Sequence, residues 1–196
     1  MKRDFGSIRK NTDTDFSKIA LSTNLPGNLK VTGEYTDLVY KNGSLVNTFH
    51  DHNIVVNSFL TLVMLLLKAP HENEGVQYWA VGEGSEMWSE EDLPSPSLAD
   101  TQLTNEIGRV PIGSTEFLDA EFNPSETPTN ILQIKANFEE AECNGVWREF
   151  GLFGGNADQN VNTGIMIDRK IHPVFTKTNE MTIQRILRLT LSLSSD

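Results

Sequence analysis

Apolar residues recur at every second position through much of the second half of the chain. Leu132, Ile134, Ala136 and Phe138 alternate with polar or charged neighbours, and Leu187, Leu189, Leu191 and Leu193 alternate with Arg188, Thr190 and Ser192. A period of two puts each apolar set on one face of a half-buried antiparallel strand. Leu118, Ala120 and Phe122 share that spacing and predict another strand. Trp147–Phe153 is more continuously apolar, as a central strand is. Ile165–Ile167 and Pro173–Phe175 predict short strands between Gly, Asn and Pro breaks. Nearer the start, Glu34–Tyr40 and Leu45–Phe49 flank Asn42-Gly43, a strong two-residue turn signal, so Lys30–Thr48 reads as a hairpin. Gln77–Val81 predicts one more short strand.

One stretch breaks the pattern. Ile54–Leu67 is apolar almost throughout and predicts a helix over residues 53–68, capped by Asn53 or Asp51 and stopped by Pro70. Apolar on most sides, it needs a sheet on one side and something else on the other. At about 14 residues it spans roughly 21 Å, short of a bilayer core of about 30 Å, so it reads as a core helix and no membrane is expected. Leu98–Ile107 predicts a helical turn capped around Asp100 or Thr101. Strands at this spacing favour a mainly β fold, an antiparallel β-sandwich with one buried α-helix. Residues 30–196 form that single domain. Residues 1–29 lack sustained periodicity and read as an extended N-terminal arm with spaced apolar residues Phe5, Ile8, Phe16 and Ile19, suited to lie on a neighbouring subunit.

Composition mostly removes options. The chain has 196 residues, and 16 Lys plus Arg against 27 Asp plus Glu give a net charge of −11. Such a charge repels phosphate backbones, so no direct nucleic-acid binding is expected. Cys143 stands alone, which excludes an internal disulfide or a cysteine-rich zinc cage. Its acidic neighbours should keep it a thiol. Met1–Lys10 is polar and charged without an apolar core behind it, so no secretory signal peptide is expected.

No candidate chemistry has local support. His50-Asp51-His52 sets two imidazoles on one side of a strand, but a metal needs three or four convergent ligands, and His71 and His172 each sit beside a proline. The acidic loop Glu83–Ser97 lacks the spacing of a calcium loop. Gly82-Glu83-Gly84-Ser85 is too short for a phosphate loop. Glu139, Glu140 and Glu142 crowd one connection instead of facing each other across a cleft, as a glycosidase requires. No enzyme, metal or cofactor is expected. Met87 and Trp88 in the acidic loop are candidate subunit-interface residues. Arg148 and Glu149 lie in an otherwise apolar strand, so Arg109 or Arg169 is expected to pair with Glu149 as a buried structural charge. Gly151 should allow a close approach within the sheet.

The order of several short motifs carries more than any one of them. Asn47–Asn57 reads NTFHDHNIVVN before the apolar run, followed by Tyr78–Gly84 (YWAVGEG), Thr101–Val110 (TQLTNEIGRV), Trp147–Phe153 (WREFGLF), Thr163–Arg169 (TGIMIDR) and Phe175–Thr178 (FTKT). This order resembles a family of bacteriophage tail-fibre and tail-collar-like minor virion structural proteins, over roughly Asn47–Leu193. The resemblance implies a virion component assembled in the host cytoplasm, a homo-oligomer contacting other virion proteins in a tail, baseplate or fibre. A capsid decoration protein and a host-surface, glycan-binding tail module are the alternatives.

Overall fold

The computed structural model describes residues 28–68 and 74–194. The arm residues Phe5, Ile8, Phe16 and Ile19 lie outside them. Strands β1 (Asn28–Lys41) and β2 (Ser44–Val55) are joined at Asn42-Gly43, and helix α1 (Ser58–Lys68) follows. Next come β3 (Glu74–Gly82), β4 (Glu106–Pro111), β5 (Ser114–Leu118), β6 (Pro124–Ser125), β7 (Ile131–Phe138), β8 (Gly145–Gly155), β9 (Ile165–Lys177) and β10 (Met181–Ser194). The hairpin turn has φ of 50° at Asn42 and 75° at Gly43, the left-handed pair that matches the twist of two joined strands.

The strands form one antiparallel sheet in the order β4-β3-β8-β9-β2-β1-β10-β7-β5-β6. It folds over at β2. Ser44–Asn53 ladders with β1, and then Ile54 and Val55 pair with Arg169 and Asp168 of β9. One strand thus serves both layers of a sandwich. Tyr35, Val39, Ile134, Phe138, Ile183 and Leu187 from one layer share a buried cluster with Trp79, Trp147, Phe150, Leu152 and Ile167 from the other. Edge-to-face rings tie the layers: Tyr35 to Phe150 at 4.8 Å and Phe138 to Trp147 at 4.9 Å between centroids. Each such ring contributes about 2 kcal/mol or more through burial.

The helix starts later than its hydrophobicity suggests. Ile54 and Val55 remain strand because they pair with β9, and the chain turns at Val56 and Asn57, whose carbonyls accept from Phe59 and Leu60 N–H. Asn53 and Asp51 are therefore strand residues and not caps. Leu98–Ile107 holds no helix. A tight turn there has Asp100 N–H donating to the Ser97 carbonyl while the Asp100 carboxylate accepts from Ser97 N–H, and β4 begins at Glu106. The Leu118–Phe122 alternation is likewise not a strand throughout. β5 ends at Leu118, and the Asp119 carboxylate then accepts from Glu121 and Asn123 N–H, closing a loop with Phe122 at φ 66°. Pro173–Phe175 belongs to the 13-residue β9 that starts at Ile165.

Candidate binding cleft

Beyond Ile54 and Arg169 the strands β2 and β9 part, β2 leaving with β1 while β9 stays with β8. Pro173 on β9 has no N–H to extend the ladder. A cavity of about 430 Å³ opens between the layers there. Aromatic residues Tyr35, Phe49, Trp147, Phe150 and Phe175 line it, with Asp37 and Arg185 among its walls. An ion pair between Lys170 and Asp51 and an edge-to-face contact of Phe49 with Phe175 (5.8 Å) link the two strands at its mouth.

The deepest charge lining the cleft is Arg185, only 1% exposed. Its Nε and Nη2 donate to the two Asp37 oxygens at 2.7 and 2.6 Å. The guanidinium lies 3.7 Å from the Phe150 ring centre, with Trp79, Phe138 and Trp147 within 5.6 Å. The bidentate pair satisfies both carboxylate oxygens, and the rings add a cation–π attraction that strengthens where water is excluded. Sequence reading missed this pair, although the signal was present. Asp37 shares parity with Tyr35 and Val39, Arg185 with Ile183 and Leu187, and the β1–β10 register sets Asp37 directly opposite Arg185.

Burial sets the protonation of the neighbouring groups. It holds the His172 imidazole down to about 4, against a backbone acceptor that works the other way. A neutral ring then donates through Nδ1 to the Pro173 carbonyl at 2.8 Å. Burial pushes the Tyr35 phenol up to about 12, so it stays uncharged. With Arg185 matched by Asp37 and Lys170 by Asp51, the cleft is close to neutral. It offers an aromatic slot to an apolar or ring-bearing group, and its carboxylates are already committed to cations.

The residues singled out from the sequence fall into separate clusters. Arg169, and not Arg109, pairs with Glu149, which is fully buried. Arg169 also reaches Asp100 at 2.8 Å and Thr104 at 2.7 Å, while the other Glu149 oxygen accepts from Asn105 N–H at 3.0 Å. This stitches residues 100–105 onto β8 and β9. Arg109 pairs with Glu106 instead, through two hydrogen bonds of 2.6 and 2.8 Å, and its Nη1 holds the Asp158–Thr163 loop by the carbonyls of both residues. Arg148, on the opposite face of β8 from Glu149, donates to the Ser85 carbonyl and to Glu90, anchoring the acidic loop. In that loop Met87 is 91% exposed, whereas Trp88 is half-buried with its ring over Gly84. A Cβ on Gly84 would fall 2.2 Å from that ring, and φ there is +70°. Gly151 is as close-packed as expected, with 2.9 Å from a notional Cβ to the Asp168 carbonyl.

Two further buried groups were not foreseen. Asp168, fully buried where β2 crosses between layers, accepts from Leu152 N–H at 3.1 Å and from Asn53. Burial outweighs these donors and raises its carboxyl to about 7. Lys177 donates to the Glu139 carbonyl at 2.6 Å and to Asn144 at 3.0 Å, fixing the turn before β8. The Cys143 thiol is pushed up to about 11, by burial first and the Glu142 charge second. Among the described residues no three His, Cys, Asp or Glu side chains converge as a metal ion needs, and no helix among them is long and apolar enough to cross a membrane.

Comparison with known proteins finds no family model that matches the chain and no curated relative.

Proposed function

We propose that this chain is a non-enzymatic structural component of a bacteriophage virion, a homo-oligomer that helps assemble a tail, baseplate or fibre and is put together in the host cytoplasm. The motif order from Asn47 to Leu193 supports the phage part of this reading. The observation that carries the assembly part is how charge and apolar surface are distributed. The interior ion pairs Asp37–Arg185, Glu149–Arg169 and Glu106–Arg109 each hold layers or loops together. Large apolar side chains meanwhile lie on the outside: Leu45, Val46 and Phe49 along β2, and Leu60 and Met64 on α1. A fold pinned internally by such pairs, with large apolar side chains left on its outside, is suited to gripping other chains. The partners are other virion proteins and further copies of this chain. Trp88, the stacking candidate of the host-glycan alternative, is half-buried with its ring over Gly84. Quantitative mass spectrometry of purified phage particles tests the proposal. It predicts this chain at the low stoichiometry of a tail; a capsid-wide stoichiometry supports the decoration alternative, and absence from the particle refutes both.

A further inference from the structure

The cleft between β2 and β9 holds two polar atoms that the fold leaves unused. Arg185 gives Nε and Nη2 to Asp37, and its Nη1 is buried with no hydrogen-bond partner among the described residues. His172 gives Nδ1 to the Pro173 carbonyl. A carbonyl only accepts, so Nδ1 carries the proton and Nε2 is a bare acceptor, also buried without a partner among the described residues. Both side chains line the cavity of about 430 Å³. Both also stand against the Phe150 ring, the guanidinium carbon at 3.7 Å and the imidazole centre at 5.8 Å from its centre. Buried donors and acceptors are rarely left unmade, so an orphaned donor and an orphaned acceptor in one cavity call for an occupant with the converse groups.

The rest of the lining says what that occupant is. Phe49, Trp147, Phe150 and Phe175 give the cavity aromatic walls, and Phe49 and Trp147 each meet Phe175 edge to face at 5.8 Å. Such walls favour a flat ring. The charges disfavour an ionic guest, because Arg185 is matched by Asp37 and Lys170 by Asp51. An added carboxylate would lose its water without a counter-charge of its own, and an added ammonium would meet Arg185 on ring faces already taken. Water could meet the two polar atoms but would leave the rings wet, whereas a ring with a polar edge serves both. Phe49 and Val174, 39% and 44% exposed, line the cavity and reach solvent, which marks its opening. We infer that the cleft binds a small neutral aromatic molecule bearing a carbonyl and an N–H, an aryl amide or lactam-type heterocycle, with the carbonyl accepting from Arg185 Nη1 and the N–H donating to His172 Nε2. This site is independent of the virion reading.

NMR titration of the isotope-labelled full-length protein with benzamide tests it. Benzamide is expected to bind saturably with a Kd of about 1 mM or below. Benzoate keeps the ring but adds a charge and loses the N–H, and is expected to bind at least about tenfold more weakly. His172→Phe keeps a ring in the wall and removes the acceptor, and should weaken benzamide about tenfold while leaving benzoate unchanged. Val174→Trp, at an exposed lining position, fills the opening and should abolish binding with the urea midpoint unchanged. The inference is overturned by the absence of saturable benzamide binding, by equal affinities for benzamide and benzoate, or by undiminished binding to Val174→Trp. Each of these results leaves the virion placement standing.

Discussion

Asp37 and Arg185 form a pair whose halves cannot be removed singly. Asp37→Ala leaves a guanidinium among aromatic rings with no counter-charge, and a buried pair broken on one side costs about 3–5 kcal/mol. Asp37→Leu with Arg185→Met removes both charges, and urea unfolding is expected to show most of that stability restored. A double variant as unstable as Asp37→Ala contradicts this account. Asp168 and His172 give a pH signature. The raised carboxyl of Asp168 binds its proton more tightly when folded, so stability falls as pH rises from the ordinary carboxylate range to about 7. The depressed imidazole of His172 acts oppositely, and stability is lost as pH falls from about 6.5 to about 4. Each slope is about 1.4 kcal/mol per pH unit, so between pH 4 and 6.5 the two nearly cancel. Denaturation across that range should find Asp168→Asn growing more stable with rising pH and His172→Gln growing less stable. Parallel curves for both variants would rule this out.

At the scale of elements, period-two ladders were legible because side-chain alternation and burial are the same fact in a strand. β7 and β10 follow directly from it, and the Asn42-Gly43 hairpin from turn chemistry. The helix start was not legible. Ile54 and Val55 suit helix and strand alike, and the choice is made by β9, more than a hundred residues away. The Leu118–Phe122 alternation misled because Asp119 bonds to backbone N–H groups beyond it and bends the chain. Arg169 as the partner of Glu149 was open from sequence because only the β8–β9 register decides between two arginines. The acidic loop shows what local packing adds. Gly84→Ala forces the Trp88 ring off its seat and strains a backbone at φ +70°. A red-shifted tryptophan emission and faster proteolysis of Glu83–Ser97 are expected, and an unchanged spectrum argues against this packing.

Over the whole molecule, the sandwich is held by a core shared between two layers and by ion pairs that pin the loops to it. The fold class was readable from alternation and turn spacing, whereas the layer exchange through β2 was not, because it needs two ladders of different origin to meet on one strand. The outward apolar groups on β2 and α1 remain uncovered among the described residues, and the proposal gives them to neighbours in a virion. Cryo-electron microscopy of the intact phage particle tests that most directly. The account predicts density for this sandwich in a symmetric ring or sheath of the tail, with α1 buried against an adjacent copy. Particles lacking that density, or holding the sandwich with α1 facing open solvent, would contradict it.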